Sequence, residues 1–193
     1  MVGLSKSLPE MGEKDDNRGF PLRIAMAKSK TNTFYLRETL EVNAGLNTET
    51  MDLSVYVDPV NKQGLLIRAV DFIWTDSSDW VPPAAAIWQA SVQIHDTALG
   101  GMADPENTHQ IASGSVVSTT SGSFSDQDFF PDRLGMAKGE GRIVVNDTLE
   151  ITTLGDGAGL PGNYVVTVVM EVEVVKLTEK DYISLALQAV ADA

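Results

Sequence analysis

One pattern limits what this chain can fold into more than any other. Apolar and polar residues alternate with period 2 in run after run, and no amphipathic helix separates the runs. In IWQASVQIHD, residues 87–96, Trp88, Ala90, Val92 and Ile94 share one face, with Gln89, Ser91, Gln93 and His95 on the other. In NYVVTVVMEVEVVKL, residues 163–177, Tyr164, Val166, Val168, Met170, Val172 and Val174 form one face. TFYLRETLEV (33–42), MDLSVYVD (51–58, with Met51, Leu53, Val55 and Val57 inward), LLIRAVDFIWTD (65–76), HQIASGSVVST (109–119) and RIVVNDTLEITTL (142–154) read as five more strands. The connection over 119–140 has room for an eighth. Turns fall at DPVNKQG (58–64), GGMADPEN (100–107) and GDGAGLPG (155–162). Without crossover helices a parallel sheet is excluded, so the chain reads as an all-β antiparallel sandwich of 7–8 strands. The strand lengths and the long 119–140 connection favour a single jelly roll.

The 193 residues divide into three parts. Residues 1–30, rich in Lys, Glu, Asp, Ser, Gly and Pro, read as an extended N-terminal arm without a core of its own. The sandwich spans 31–177, and a helix closes the chain over 178–193. The net charge of −13 is unevenly placed. Residues 1–37 carry seven basic and four acidic side chains, net +3, and the remainder is net −16. An acidic body repels phosphates, so any contact with nucleic acid falls to the arm. No apolar run approaches the roughly 20 residues that span a bilayer, and the N-terminal stretch lacks the apolar segment of a secretory signal.

The closing helix is the second informative feature. Thr178 suits an N-cap, with Asp181 three residues on and Leu177 and Tyr182 at hydrophobic-staple positions. Asp181, Ser184, Gln188 and Asp192 share one narrow polar stripe. The residues between them, from Tyr182 to Ala191, cover an apolar arc of roughly 240°, where a helix lying on one sheet needs only a little over 100°. Surplus apolar surface marks an interaction site. The expectation is that Tyr182, Ile183, Leu185, Leu187 and Val190 supply contacts to a neighbouring chain.

Chemistry is sparse. With no Cys, disulfides, thiol catalysis and thiolate zinc sites are excluded. His95 stands on the polar face of its strand beside Asp96, and His109 follows DPENT in a loop. No nucleophile motif accompanies either one, and both read as solvated residues. Asp126, Asp128 and Asp132 are candidate Ca²⁺ ligands, as are Asp71, Asp76 and Asp79, but neither set has the Gly and terminal Glu of an EF-hand loop. Both are read as Asp-rich turns, so no metal or cofactor is expected. Trp88 reads as core, and Trp80, before VPP, is the best exposed candidate for a sugar platform. No catalytic constellation emerges, and an enzyme is not expected.

A polar arm, a strand series from TFYLRETLEV to NYVVTVVMEVEVVKL and the closing TEKDYISLALQAVADA together resemble, in organisation, the single jelly-roll capsid proteins of icosahedral viruses. The resemblance implies a self-assembling shell subunit in the virion, whose partners are other copies of itself and other virion proteins. It also implies an arm that orders on assembly. This arm is only mildly basic, which suits a shell lined by an internal viral membrane or by separate packaging proteins. The competing expectation is a carbohydrate-binding or adhesive sandwich module.

Overall fold

The computed structural model describes residues 28–78, 86–104, 107–129 and 141–191, the last two segments with backbone alone at 123, 125–129, 190 and 191. The strands are β1 (Lys28–Ser29), β2 (Phe34–Glu41), β3 (Gly45–Asp52), β4 (Gln63–Asp76), β5 (Trp88–His95), β6 (Gln110–Thr119), β7 (Gly122–Phe129), β8 (Arg142–Val144), β9 (Thr148–Asp156) and β10 (Tyr164–Lys176). One helix, α1 (Glu179–Ala191), follows them.

The strands form two antiparallel sheets. In the first, β1 and β2 lie end to end along one edge of β10, and β4 and β8 follow. In the second the order is β3-β9-β5-β6-β7. Setting aside β1 and the edge strand β7, the pairs β2·β10, β3·β9, β4·β8 and β5·β6 nest in sequence and alternate between the sheets. The chain is thus one long antiparallel ribbon rolled up pair by pair, which is the jelly roll the strand lengths favoured.

The core lies between the sheets. Leu40, Leu65, Ile67, Val92, Ile94, Ile151, Val166, Val168 and Met170 are all fully buried there, each worth about 1.5–3 kcal/mol in area removed from water. At one end Tyr164 stacks on Trp74 with centroids 5.9 Å apart and meets the edge of Trp88 at 4.5 Å. Phe72 reaches across from β4 to Gly114 of β6, where a Cβ would stand 2.5 Å from the ring. Only glycine leaves that ring its place.

Several expectations need correction. The chain has ten strands among the described residues, not seven or eight. The β structure also begins before residue 31, since Lys28 and Ser29 already pair with Lys176 and Val175. MDLSVYVD is not one strand: β3 ends at Asp52 and residues 54–56 turn, which leaves Val55 82% exposed. The strand lies earlier, in GLNTETMD, an edge strand whose mostly exposed face shows little apolar alternation. RIVVNDTLEITTL splits at Val145–Asp147 into β8 and β9, which belong to different sheets.

Candidate functional site

Helix α1 lies on the outer face of the first sheet. Its seat is built by a turn. The Asp58 carboxylate accepts the Val60 and Asn61 backbone N–H, and Lys62 takes a left-handed φ of 56°. That turn aims the Lys62 carbonyl at the Leu177 N–H (2.9 Å) and its ammonium at Glu179 (2.8 Å). The lysine holds the Glu179 carboxyl below its ordinary pKa. The Thr178 hydroxyl accepts the Asp181 N–H at 3.2 Å and donates to the Asp181 carboxylate at 2.7 Å, so the cap forms as expected.

Beneath the helix lies a small second core of Leu66, Val145, Val175 and Leu177, with Ile143, Tyr182, Leu185 and Ala186 packed against it. Tyr182 and Leu185 therefore face their own sheet, half-buried. Ile183 and Leu187, one turn apart, face outward at 51% and 64% exposure. The Val190 side chain lies outside the described residues. The helix accounts for part of the outward apolar surface of β4 and β10, covering Leu66 and Val175, while Ile73 further along β4 stays 49% exposed. Nearby, the Arg68 guanidinium bonds Glu173, whose carboxyl is held below its ordinary pKa first by the Ser29 hydroxyl and then by Arg68.

The outer face of the second sheet has two unlike halves. One half exposes cross-strand apolar pairs, Leu46 with Leu154 and Val117 with Phe124. In the other, residues 97–104 fold back over the sheet and bury polar side chains. The Glu150 carboxylate accepts the Leu99 N–H (2.9 Å) and Gly100 N–H (3.0 Å). The Gln93 amide pairs with the Ala103 backbone, accepting from its N–H at 2.6 Å and donating to its carbonyl at 3.0 Å. At the root of this segment the Asp96 carboxylate takes bonds from His109 Nδ1 (2.7 Å) and Arg142 (2.7 Å). Arg142 also reaches the Thr108 carbonyl, and the Asn146 amide reaches that of Asp96.

His95 and His109 are thus buried and engaged, contrary to the solvated reading. The alternation of β5 placed His95 and Gln93 correctly on the outward face, but gave no sign that the chain would return to cover it. Burial holds the His95 pKa below its ordinary value, against the pull of Glu150 at 3.5 Å. A cleft lined by Asp96, His109, Arg142, Asn146, Leu185 and Gln188 runs between this network and α1.

The remaining candidates fare as follows. Asp71 is an exposed strand residue, and the Asp76 carboxylate accepts from Ser78 in a turn. Asp79, Trp80 and Asp132 lie outside the described residues, and of Asp126 and Asp128 only the β7 backbone is described. Among the described residues no group of three or more His, Asp or Glu side chains is placed to hold a metal. In the same residues no helix is long and apolar enough to cross a membrane. Trp74 and Trp88 are in the core.

No protein-family model and no curated protein matches the chain. Among solved structures, one from Desmodium yellow mottle tymovirus aligns over 92% of this chain and 97% of its own, at 8% identity and a TM-score of 0.37. A likeness that loose speaks for neither a shared topology nor a shared function.

Proposed function

We propose that this chain is a self-assembling structural subunit, the shell protein of an icosahedral virion. The observation that carries the reading is the outward stripe of Ile183 and Leu187 on a helix whose opposite face is already seated on the sheet. A lone chain leaves those two side chains in water, together with Leu46, Leu154, Val117 and Phe124 on the other sheet. Apolar surface on both outer faces suits a subunit with neighbours on several sides. Covering Ile183 and Leu187 in a neighbour's patch adds about 1–2 kcal/mol for each, since about half of each is still exposed. Repeated around a closed shell, that is enough to bias assembly. Its closure would leave no free copy of the patch.

The role is structural and needs no catalysis. The two buried histidines fit it, since their bonds hold a surface segment in place. Trp74 and Trp88, as core residues, offer no exposed indole to the carbohydrate-binding alternative, and Trp80 lies outside the described residues.

The test is the double substitution Ile183→Asp and Leu187→Asp. Both positions are exposed, so the subunit is expected to fold, with far-ultraviolet circular dichroism and melting temperature close to the parent. Its sedimentation should show loss of the assembled species. Assembly at the parent's concentration and stability would overturn the assignment of this stripe.

A further inference from the structure

Resting on the shell reading, we infer where the neighbouring copy binds. The outward stripe of α1 docks across the second sheet of the next copy, with Lys180 meeting Asp156, Ile183 meeting Val117 and Leu187 meeting Phe124. The contact is head-to-tail, between two different faces of the molecule.

The stripe has a definite order. Lys180, Ile183 and Leu187 stand at i, i+3 and i+7, and all three are exposed. One face of the helix therefore carries a cation followed by two apolar side chains. A rise of about 1.5 Å per residue puts Ile183 about 4.5 Å and Leu187 about 10.5 Å beyond Lys180.

The second sheet carries a row with the matching order. Asp156, Gln89, Val117 and Phe124 are paired neighbours across β9, β5, β6 and β7, and all four are exposed. Residues directly opposite one another share a face. Strands about 4.8 Å apart place Val117 about 10 Å and Phe124 about 14 Å from Asp156. Lay the helix across the strands with Ile183 over Val117. Leu187 then falls about 6 Å further on, over Phe124. Lys180 falls about 5 Å short of Asp156, a gap that its flexible four-carbon stem spans.

Charge selects this pairing over the others. Among the described residues every Lys and Arg lies on the first sheet, in the segments bordering it, or on α1. The strands of the second sheet have no Lys or Arg, but have Glu49, Asp52, Asp126, Asp128, Glu150 and Asp156. Two second sheets face to face would set acid against acid, whereas the helix side against the second sheet brings cations to the acidic face. Two stripes packed together would leave the row uncovered. Because α1 lies on the first sheet, its stripe and the row are on opposite outer faces of the sandwich, and no chain can cover its own row. Each docked copy presents a fresh stripe and a fresh row. A contact of this kind closes into a ring or shell when its rotation returns to the start.

The test mixes two full-chain variants, each lacking one half of the contact. Ile183→Asp with Leu187→Asp removes the stripe. Phe124→Lys with Asp156→Lys removes the row, at exposed positions of which Phe124 is on an edge strand, where Lys is well tolerated. Each variant alone is expected to lose the parent's assembled species. A concentrated equimolar mixture is expected to gain a dimer by sedimentation that neither variant forms alone, since one intact stripe remains for one intact row. Lys180→Glu or Asp156→Lys alone should raise the concentration needed for assembly several-fold, and the two in one chain should restore it. This second measurement stands even if the row variant fails to fold. A row variant that assembles like the parent, a mixture of folded variants without the dimer, or a combined reversal that assembles no better than either single change would each overturn this contact. The parent's own assembly would then still uphold the shell reading. A parent that stays monomeric at every concentration would overturn the shell reading, and this contact with it.

Discussion

At Tyr164 a residue's packing and its chemistry disagree. The ring sits between Trp74 and Trp88 at the end of the core, while its hydroxyl is buried without a hydrogen bond and burial pushes its pKa up. An unpartnered buried hydroxyl costs about 1–3 kcal/mol in lost hydration. Tyr164→Phe keeps the ring contacts and removes that cost. It should leave chemical-denaturation stability unchanged or raise it by up to about 1 kcal/mol, whereas a loss of 2 kcal/mol or more would mean that the hydroxyl has a partner. The inward position of Tyr164 was legible in the sequence, because alternation along β10 assigns faces directly. The burial of His95 and His109 was not. A period-2 pattern reports which face a residue takes, and a face is exposed only if no other segment lies on it. What covers this one is a backbone, Leu99 to Ala103, whose N–H and carbonyl groups carry no side-chain signature.

At the scale of elements, the helix was read well and the second strand badly, for the same reason. Local chemistry specifies a helix start: Thr178, Asp181, Leu177 and Tyr182 form the cap and staple within six residues of one another. An edge strand has no such marker. In β3 two-thirds or more of the positions are polar or small, and its pairing with β9 is set by a partner about a hundred residues away. The apolar MDLSVYVD imitated a strand because Leu53 and Val57 are buried by a turn rather than by alternation. The split of β8 from β9 was hidden likewise, since Val144 and Val145 are both buried as the chain enters the corner, one in the main core and one under the helix. The helix itself is short, and helices of its length are marginal in water without packing. Thr178→Ala, which removes both cap bonds, should cost about 1 kcal/mol and should loosen α1 before the sandwich. Faster exchange of the Tyr182 to Ala186 amides with unchanged exchange in β10 would show this; equal loosening of both would mean that helix and sandwich unfold as one unit.

For the whole molecule, the sequence already excluded a parallel sheet and, having no Cys, thiol chemistry, while strand order required the structure. The nested pairs β2·β10, β3·β9, β4·β8 and β5·β6 join residues far apart in the chain, and no local pattern announces them. The fold alone does not name a function, because jelly rolls serve shells, lectins and enzymes alike. What separates a shell subunit from a lone binding module is unfinished surface: Ile183 and Leu187 on the helix, and two apolar pairs on the opposite sheet. The most direct test is the mass of the purified native species by light scattering, with electron microscopy of the same sample. The shell reading predicts closed particles, or symmetric rings, many times the 20.8 kDa of one chain. A single 20.8 kDa species at every concentration and salt would contradict it.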